Sequence, residues 1–145
     1  MTKLSFFLLT CAALLTFQAC QSDGGGGGKC NLEGTWKVST TDVQSDKLPP
    51  TVVELTKLEV ESSQYSFTAD GQVVWLNTSS GTQVQGTWAL SETGDELTLT
   101  YQDRQPDIFK VANCSAKELK VSQRAPLDPA QEALISINTV LARVE

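Results

Sequence analysis

Tyr65-Ser66-Phe67-Thr68-Ala69-Asp70-Gly71-Gln72-Val73-Val74-Trp75-Leu76 carries the clearest structural signal in the sequence. Two runs rich in aromatic and β-branched residues flank Ala69-Asp70-Gly71, and Asp-Gly tolerates the positive φ of a tight reversal. The stretch reads as a β-hairpin. Toward the C-terminus, Ser79-Ser80-Gly81 marks the next turn, Val84 to Leu90 the next strand and Glu92-Thr93-Gly94-Asp95 the next reversal. Leu97, Leu99 and Tyr101 then alternate with polar residues. Pro106-Asp107 breaks the pattern before Ile108 to Val111, and Ser115-Ala116-Lys117 breaks it before Leu119 to Val121. Toward the N-terminus, Leu32 to Thr40 alternates Trp36, Val38 and Thr40 against polar neighbours, the period of a half-buried strand. Short strands at regular spacing suit a sandwich or a closed barrel, and closure removes the edges that invite aggregation.

Two segments are ambiguous. Between Thr51 and Glu61, Val53, Leu55, Leu58 and Val60 match either a bulged strand or one helical turn followed by a strand, and strand is the expectation. Near the C-terminus, Asp128 is a capping residue, Pro129 suits a first helical position and Ala130 to Ile137 is a helix former. A short helix followed by a strand over Thr139 to Val144 is expected. The alternative is one helix to the end, packed through Leu134, Ile137 and Leu141.

The front of the chain has another texture. Lys3 precedes an apolar run from Leu4 to Phe17, and Phe17-Gln18-Ala19-Cys20 closes it. The run is short for a membrane span, which needs about 20 apolar residues. It reads as a signal peptide over residues 1–19. A cysteine after the small Ala19 resembles the bacterial lipobox, although Phe17 stands where Leu is usual. The resemblance implies lipidation of Cys20, leaving residues 20–29 as a tether and 30–145 as the domain. The alternative is ordinary cleavage and a free secreted protein. Gly24 to Gly28 form a flexible coil that would hold the domain close to the bilayer. Gln21-Ser22-Asp23 loosely resembles surface-export signals of Bacteroidetes lipoproteins, and both periplasmic and surface-facing placements stay open.

The chain carries 11 basic and 17 acidic residues, a net charge of −6, and no histidine. That balance repels phosphate backbones, and no basic cluster interleaved with aromatics occurs, so nucleic acid is not an expected partner. Membrane attachment is expected through acyl chains, at about 0.8 kcal/mol per buried methylene. Of four cysteines, Cys11 leaves with the signal and Cys20 takes the lipid. Cys30 and Cys114 remain as an even pair, which in an oxidising compartment most often forms one disulfide. No CxxC spacing supports a redox or metal role.

Gly34-Thr35-Trp36 opening the first strand, Phe67-Thr68-Ala69-Asp70-Gly71, and Gly86-Thr87-Trp88 ahead of Gly94-Asp95-Glu96-Leu97-Thr98-Leu99 together resemble the lipocalin-like lipoproteins of Bacteroidetes. The resemblance covers about Leu32 to Glu145. It implies a single antiparallel up-and-down β-barrel of about eight strands, here with a short helix near the C-terminus. It also implies that Trp36 plugs the closed end beneath a guanidinium, with Arg143 as first candidate and Arg124 as second.

Little in the chain points to catalysis. Asp42, Asp46, Asp70, Asp95, Asp103 and Asp107 sit mostly in turns, and no nucleophile elbow or phosphate loop is present. No cofactor, metal or catalytic role is expected, and the domain is expected to be a monomer. Tyr65, Phe67, Trp75, Trp88 and Tyr101 are the large residues that would line a cup, or else fill the core. A lipid-anchored carrier of a small hydrophobic molecule in the cell envelope is the first functional expectation. A filled barrel whose outer surface binds a protein or glycan is the second, and hydrolysis within the cup is a third. A cavity of several hundred cubic ångströms favours the first.

Overall fold

A computed structural model describes residues 30–126 and 134–145. Eight strands follow one another around a closed barrel: β1 (Gly34–Gln44), β2 (Ser63–Phe67), β3 (Gln72–Asn77), β4 (Gln83–Leu90), β5 (Glu96–Tyr101), β6 (Asp107–Cys114), β7 (Glu118–Pro126) and β8 (Leu134–Arg143). Each pairs antiparallel with its sequence neighbour, and β8 returns to β1. One helix, α1 (Pro50–Glu61), links β1 to β2.

The 65–76 stretch forms the expected hairpin. Tyr65 faces Trp75, and Phe67 faces Val73. Gly71 sits at φ 83°, where a side chain would strain the backbone, and its N–H donates to the Thr68 carbonyl at 3.1 Å. Alternation then does what a barrel needs, putting Leu97, Leu99 and Tyr101 of β5 inside and their neighbours outside.

β1 departs from simple alternation. Trp36 and Val38 are buried, but the pairing with β8 slips between Val38 and Thr40, so Ser39 is an extra residue. The bulge turns Thr40 outward and Thr41 and Val43 inward, correcting the expectation that Thr40 shares a face with Trp36. Thr41 is satisfied there by the Thr139 hydroxyl at 3.1 Å.

The 51–61 segment is a helix, not the expected strand. Pro50 occupies the first turn, where a missing N–H costs nothing, and Pro49 stays extended outside it. Val53, Thr56, Lys57, Val60 and Glu61 are the half-buried residues, at i, i+3, i+4, i+7 and i+8. No residue of α1 is fully buried.

The short helix expected near the C-terminus is also corrected. Residues 130–133 lie outside the described residues, and Leu134 to Ile137 belong to β8. Ile135, Thr139 and Leu141 are buried while Asn138 and Ala142 are exposed, a period of two that overrides local helix propensity. The expected strand over Thr139 to Val144 is present as far as Arg143.

Candidate ligand-binding cup

The end of the barrel where β1 begins is closed from the sequence upward. Trp36 is fully buried, and its indole N–H donates to the Leu32 carbonyl at 2.8 Å. Arg143 is paired with Trp36 across β1 and β8, so its guanidinium lies over the ring, 4.6 Å from the centroid. The same guanidinium donates to the Asn31 carbonyl at 2.7 Å. Arg124 is exposed on β7, and Arg143 alone of the two candidates lies over Trp36. Cys30 and Cys114 form a disulfide with Cα atoms 5.6 Å apart, fastening the segment before β1 to the end of β6.

Toward the opposite end, between α1 and the turn after β5, the barrel holds a cavity of about 150 Å³. Its deeper walls are Phe67, Leu97, Leu99, Phe109, Leu119 and Leu141. Polar groups collect near α1 and the turn: Glu59, Ser63, Arg104, Asp107, Gln123 and Thr139. Of the five large residues read as lining a cup or else filling the core, Tyr65, Phe67 and Trp75 line this cavity.

Trp88 and Tyr101 do not. Trp88 packs edge-on against Phe67, with ring centroids 5.7 Å apart, and spends its N–H on the Thr68 carbonyl at the hairpin turn. Tyr101 points inward, but its ring is wedged against Gly86 of the facing strand and covered by Arg104. A Cβ on Gly86 would stand 2.3 Å from the Thr100 carbonyl oxygen and 2.7 Å from Tyr101 Cδ1, so only glycine fits this register. The Tyr101 hydroxyl has no hydrogen-bond partner among the described residues.

Arg104 and Asp107 are the polar features that sequence reading missed. The Arg104 guanidinium lies 3.9 Å from the Tyr101 ring centroid and 5.7 Å from that of Trp75. Its Nη2 donates to Asp107 Oδ2 at 3.1 Å, and the Gln123 amide donates to Asp107 Oδ1 at 3.5 Å. The Trp75 indole N–H is fixed by the Ser63 hydroxyl at 3.0 Å. Burial raises the Tyr65 phenol well above its ordinary pKa, and the charges of Tyr101 and Asp107 push the same way. Burial also raises Tyr101, against the pull of Arg104. Both phenols are therefore neutral hydrogen-bonding groups at physiological pH. Among the described residues, no group of three or more His, Cys, Asp or Glu side chains is placed to hold a metal ion, and no helix is long and apolar enough to cross a membrane.

The model of the lipocalin-like domain matches residues 32–121. This chain belongs to the lipocalin-like domain family. The match spans the sequence from just ahead of β1 into β7, and closure by β8 completes the barrel that such a domain implies. Lipocalin-like barrels are typically binding folds rather than catalytic ones. Among solved structures, the chain is similar to a DUF4847 family protein from Bacteroides vulgatus, at 14% identity and a TM-score of 0.41, over 72% of this chain and 91% of that one. No curated protein matches it.

Proposed function

We propose that this lipocalin-like domain binds a small, largely apolar molecule in its cup and carries or sequesters it at the cell envelope, without catalysing a reaction. The cavity carries this reading. Its apolar walls, Phe67, Leu97, Leu99, Phe109, Leu119 and Leu141, face a space that no side chain fills, and apolar surface left unburied forgoes about 25 cal/mol per Å². A filled barrel would avoid that loss.

The volume also limits the ligand. It is below the roughly 300 Å³ at which drug-sized pockets begin and close to that of an engineered cavity that takes benzene. The cup therefore suits a compact ring or short chain better than a long acyl chain. Absence of catalysis is supported by the lack of histidine and by the engagement of Asp107 with Arg104 and Gln123. The envelope location rests on the signal-like residues 1–19 and on Cys20.

The binding reading is tested by thermal shift with a series of small aromatic and aliphatic compounds, alongside a Val121→Phe variant that fills the cup. Several compounds should raise the Tm of the unaltered protein and lose their effect in the variant; equal responses in both would place binding elsewhere. The anchor is tested by clickable palmitate labelling in the host, where label on Cys20→Ala would end the lipidation reading. A second reading, with the outer surface binding a protein or glycan, draws on Val52, Leu55 and Leu58, which lie at helical spacing on α1 and are 38, 66 and 53% exposed.

A further inference from the structure

The mouth of the cup carries charged side chains, and the inference they support rests on the binding reading above. Three charged side chains line the cavity: Glu59 on α1, Arg104 on the turn after β5, and Asp107 at the start of β6. Their arrangement is unequal. Asp107 already receives a donor on each carboxylate oxygen, the guanidinium on Oδ2 and the Gln123 amide on Oδ1. Arg104 has five N–H donors, and among the described residues its side chain spends one, on Asp107. Stacking on Tyr101 and proximity to Trp75 hold the guanidinium face in place. Its edge donors remain for something else, and the side chain is 44% exposed.

A cationic ligand and an anionic one would meet this arrangement differently. A cation seeking the aromatic faces and Asp107 must first displace Arg104, giving up the stacking and the ion pair together. An anion displaces nothing. It adds bonds to a donor already oriented, with its apolar part directed toward Phe67, Leu99 and Leu119. Glu59 is the opposing charge, but it sits on the exposed face of a helix and is free to turn to solvent.

We propose that Arg104 is the specificity-determining residue of the cup, and that the ligand is a compact aromatic or short aliphatic molecule bearing a carboxylate or similar anionic group. Benzoate, benzyl alcohol and benzylamine test this directly, because they share a ring and differ in charge. Binding of each is followed by tryptophan fluorescence and calorimetry at low ionic strength, in the unaltered protein and in Arg104→Gln and Asp107→Asn. Benzoate should bind about tenfold more tightly than benzyl alcohol, a preference suited to a charge-assisted bond at a half-exposed site. Arg104→Gln should bring the ratio near one, and Asp107→Asn should keep or enlarge it.

If benzyl alcohol binds and benzoate binds no better, the cup is a binding site and the assignment of an anion is wrong. Tightest binding by benzylamine, abolished in Asp107→Asn, would overturn the assignment in favour of a cation. If none of the three binds, the cup reading fails, and the assignment falls with it.

Discussion

Removing the Cys30–Cys114 disulfide should lower stability strongly while leaving the barrel intact. The bridge joins residues 84 apart in sequence. For a loop of that size the chain-entropy relation gives about 15 cal/mol/K, or about 4.6 kcal/mol at 25 °C, and measured losses are commonly 2–4 kcal/mol. With a melting entropy of about 2.1 cal/mol/K per residue, a domain of about 115 residues has about 0.24 kcal/mol/K, so the expected fall in Tm is about 8 to 19 °C. The folded state has other fastenings at that end. Leu32 is fully buried, the Trp36 N–H holds the Leu32 carbonyl, and Arg143 holds Asn31. The Cys30→Ser/Cys114→Ser protein, compared by scanning calorimetry and near-ultraviolet circular dichroism, should therefore keep the native tryptophan spectrum at 20 °C and melt earlier. A fall under about 4 °C would refute the entropic argument, and loss of the native spectrum at 20 °C would refute the claim that the other contacts suffice.

Further outcomes follow from single sites. Gly86→Ala should destabilise by about 1–3 kcal/mol or more, because the new Cβ meets a backbone carbonyl at 2.3 Å rather than a movable side chain; urea melts check it. A double-mutant cycle of Trp36→Phe and Arg143→Met should return a coupling of about 0.5–2 kcal/mol, and a value near zero would remove the stacking from the account. Tyr65 and Tyr101 are the only tyrosines in the chain, and both are raised in the folded protein. Absorbance near 295 nm should show less than half of the phenol ionised at pH 10 when folded and about half in guanidinium chloride. The sign follows: unfolded tyrosines release protons first, so this contribution to stability is complete below pH 10 and is lost as pH rises through the higher folded values. Half-ionisation of both phenols at pH 10 in the folded state would contradict their burial.

Most of the barrel was legible because its strands carry their own evidence. Asp70-Gly71 between two aromatic runs specifies a turn by backbone sterics, and Leu97, Leu99 and Tyr101 specify a face by alternation. The misses have physical causes. In 51–61 the apolar residues satisfy two periods at once, and the helix that settles between them starts at Pro50, just ahead of that window. At 134–137, local helix propensity outweighed the inward set Ile135, Thr139 and Leu141, whose burial depends on pairing with β1 and β7. The bulge at Ser39 depends likewise on the partner strand. Tyr65, Phe67 and Trp75 line the cavity whereas Trp88 and Tyr101 pack outside it, and sequence does not tell a cavity wall from a packed core. Asp107 was passed over as a turn residue and Arg104 was not singled out; an arginine three residues past a strand-ending tyrosine was the available signal.

Native mass spectrometry of the protein purified gently from its own host, before and after solvent extraction, asks of the cup whether it holds a small molecule. An added mass of a compact molecule that is lost on extraction and recovered as one compound is the predicted result. A mass equal to the mature polypeptide with its modifications, unchanged by extraction and by added small aromatic compounds, would contradict it.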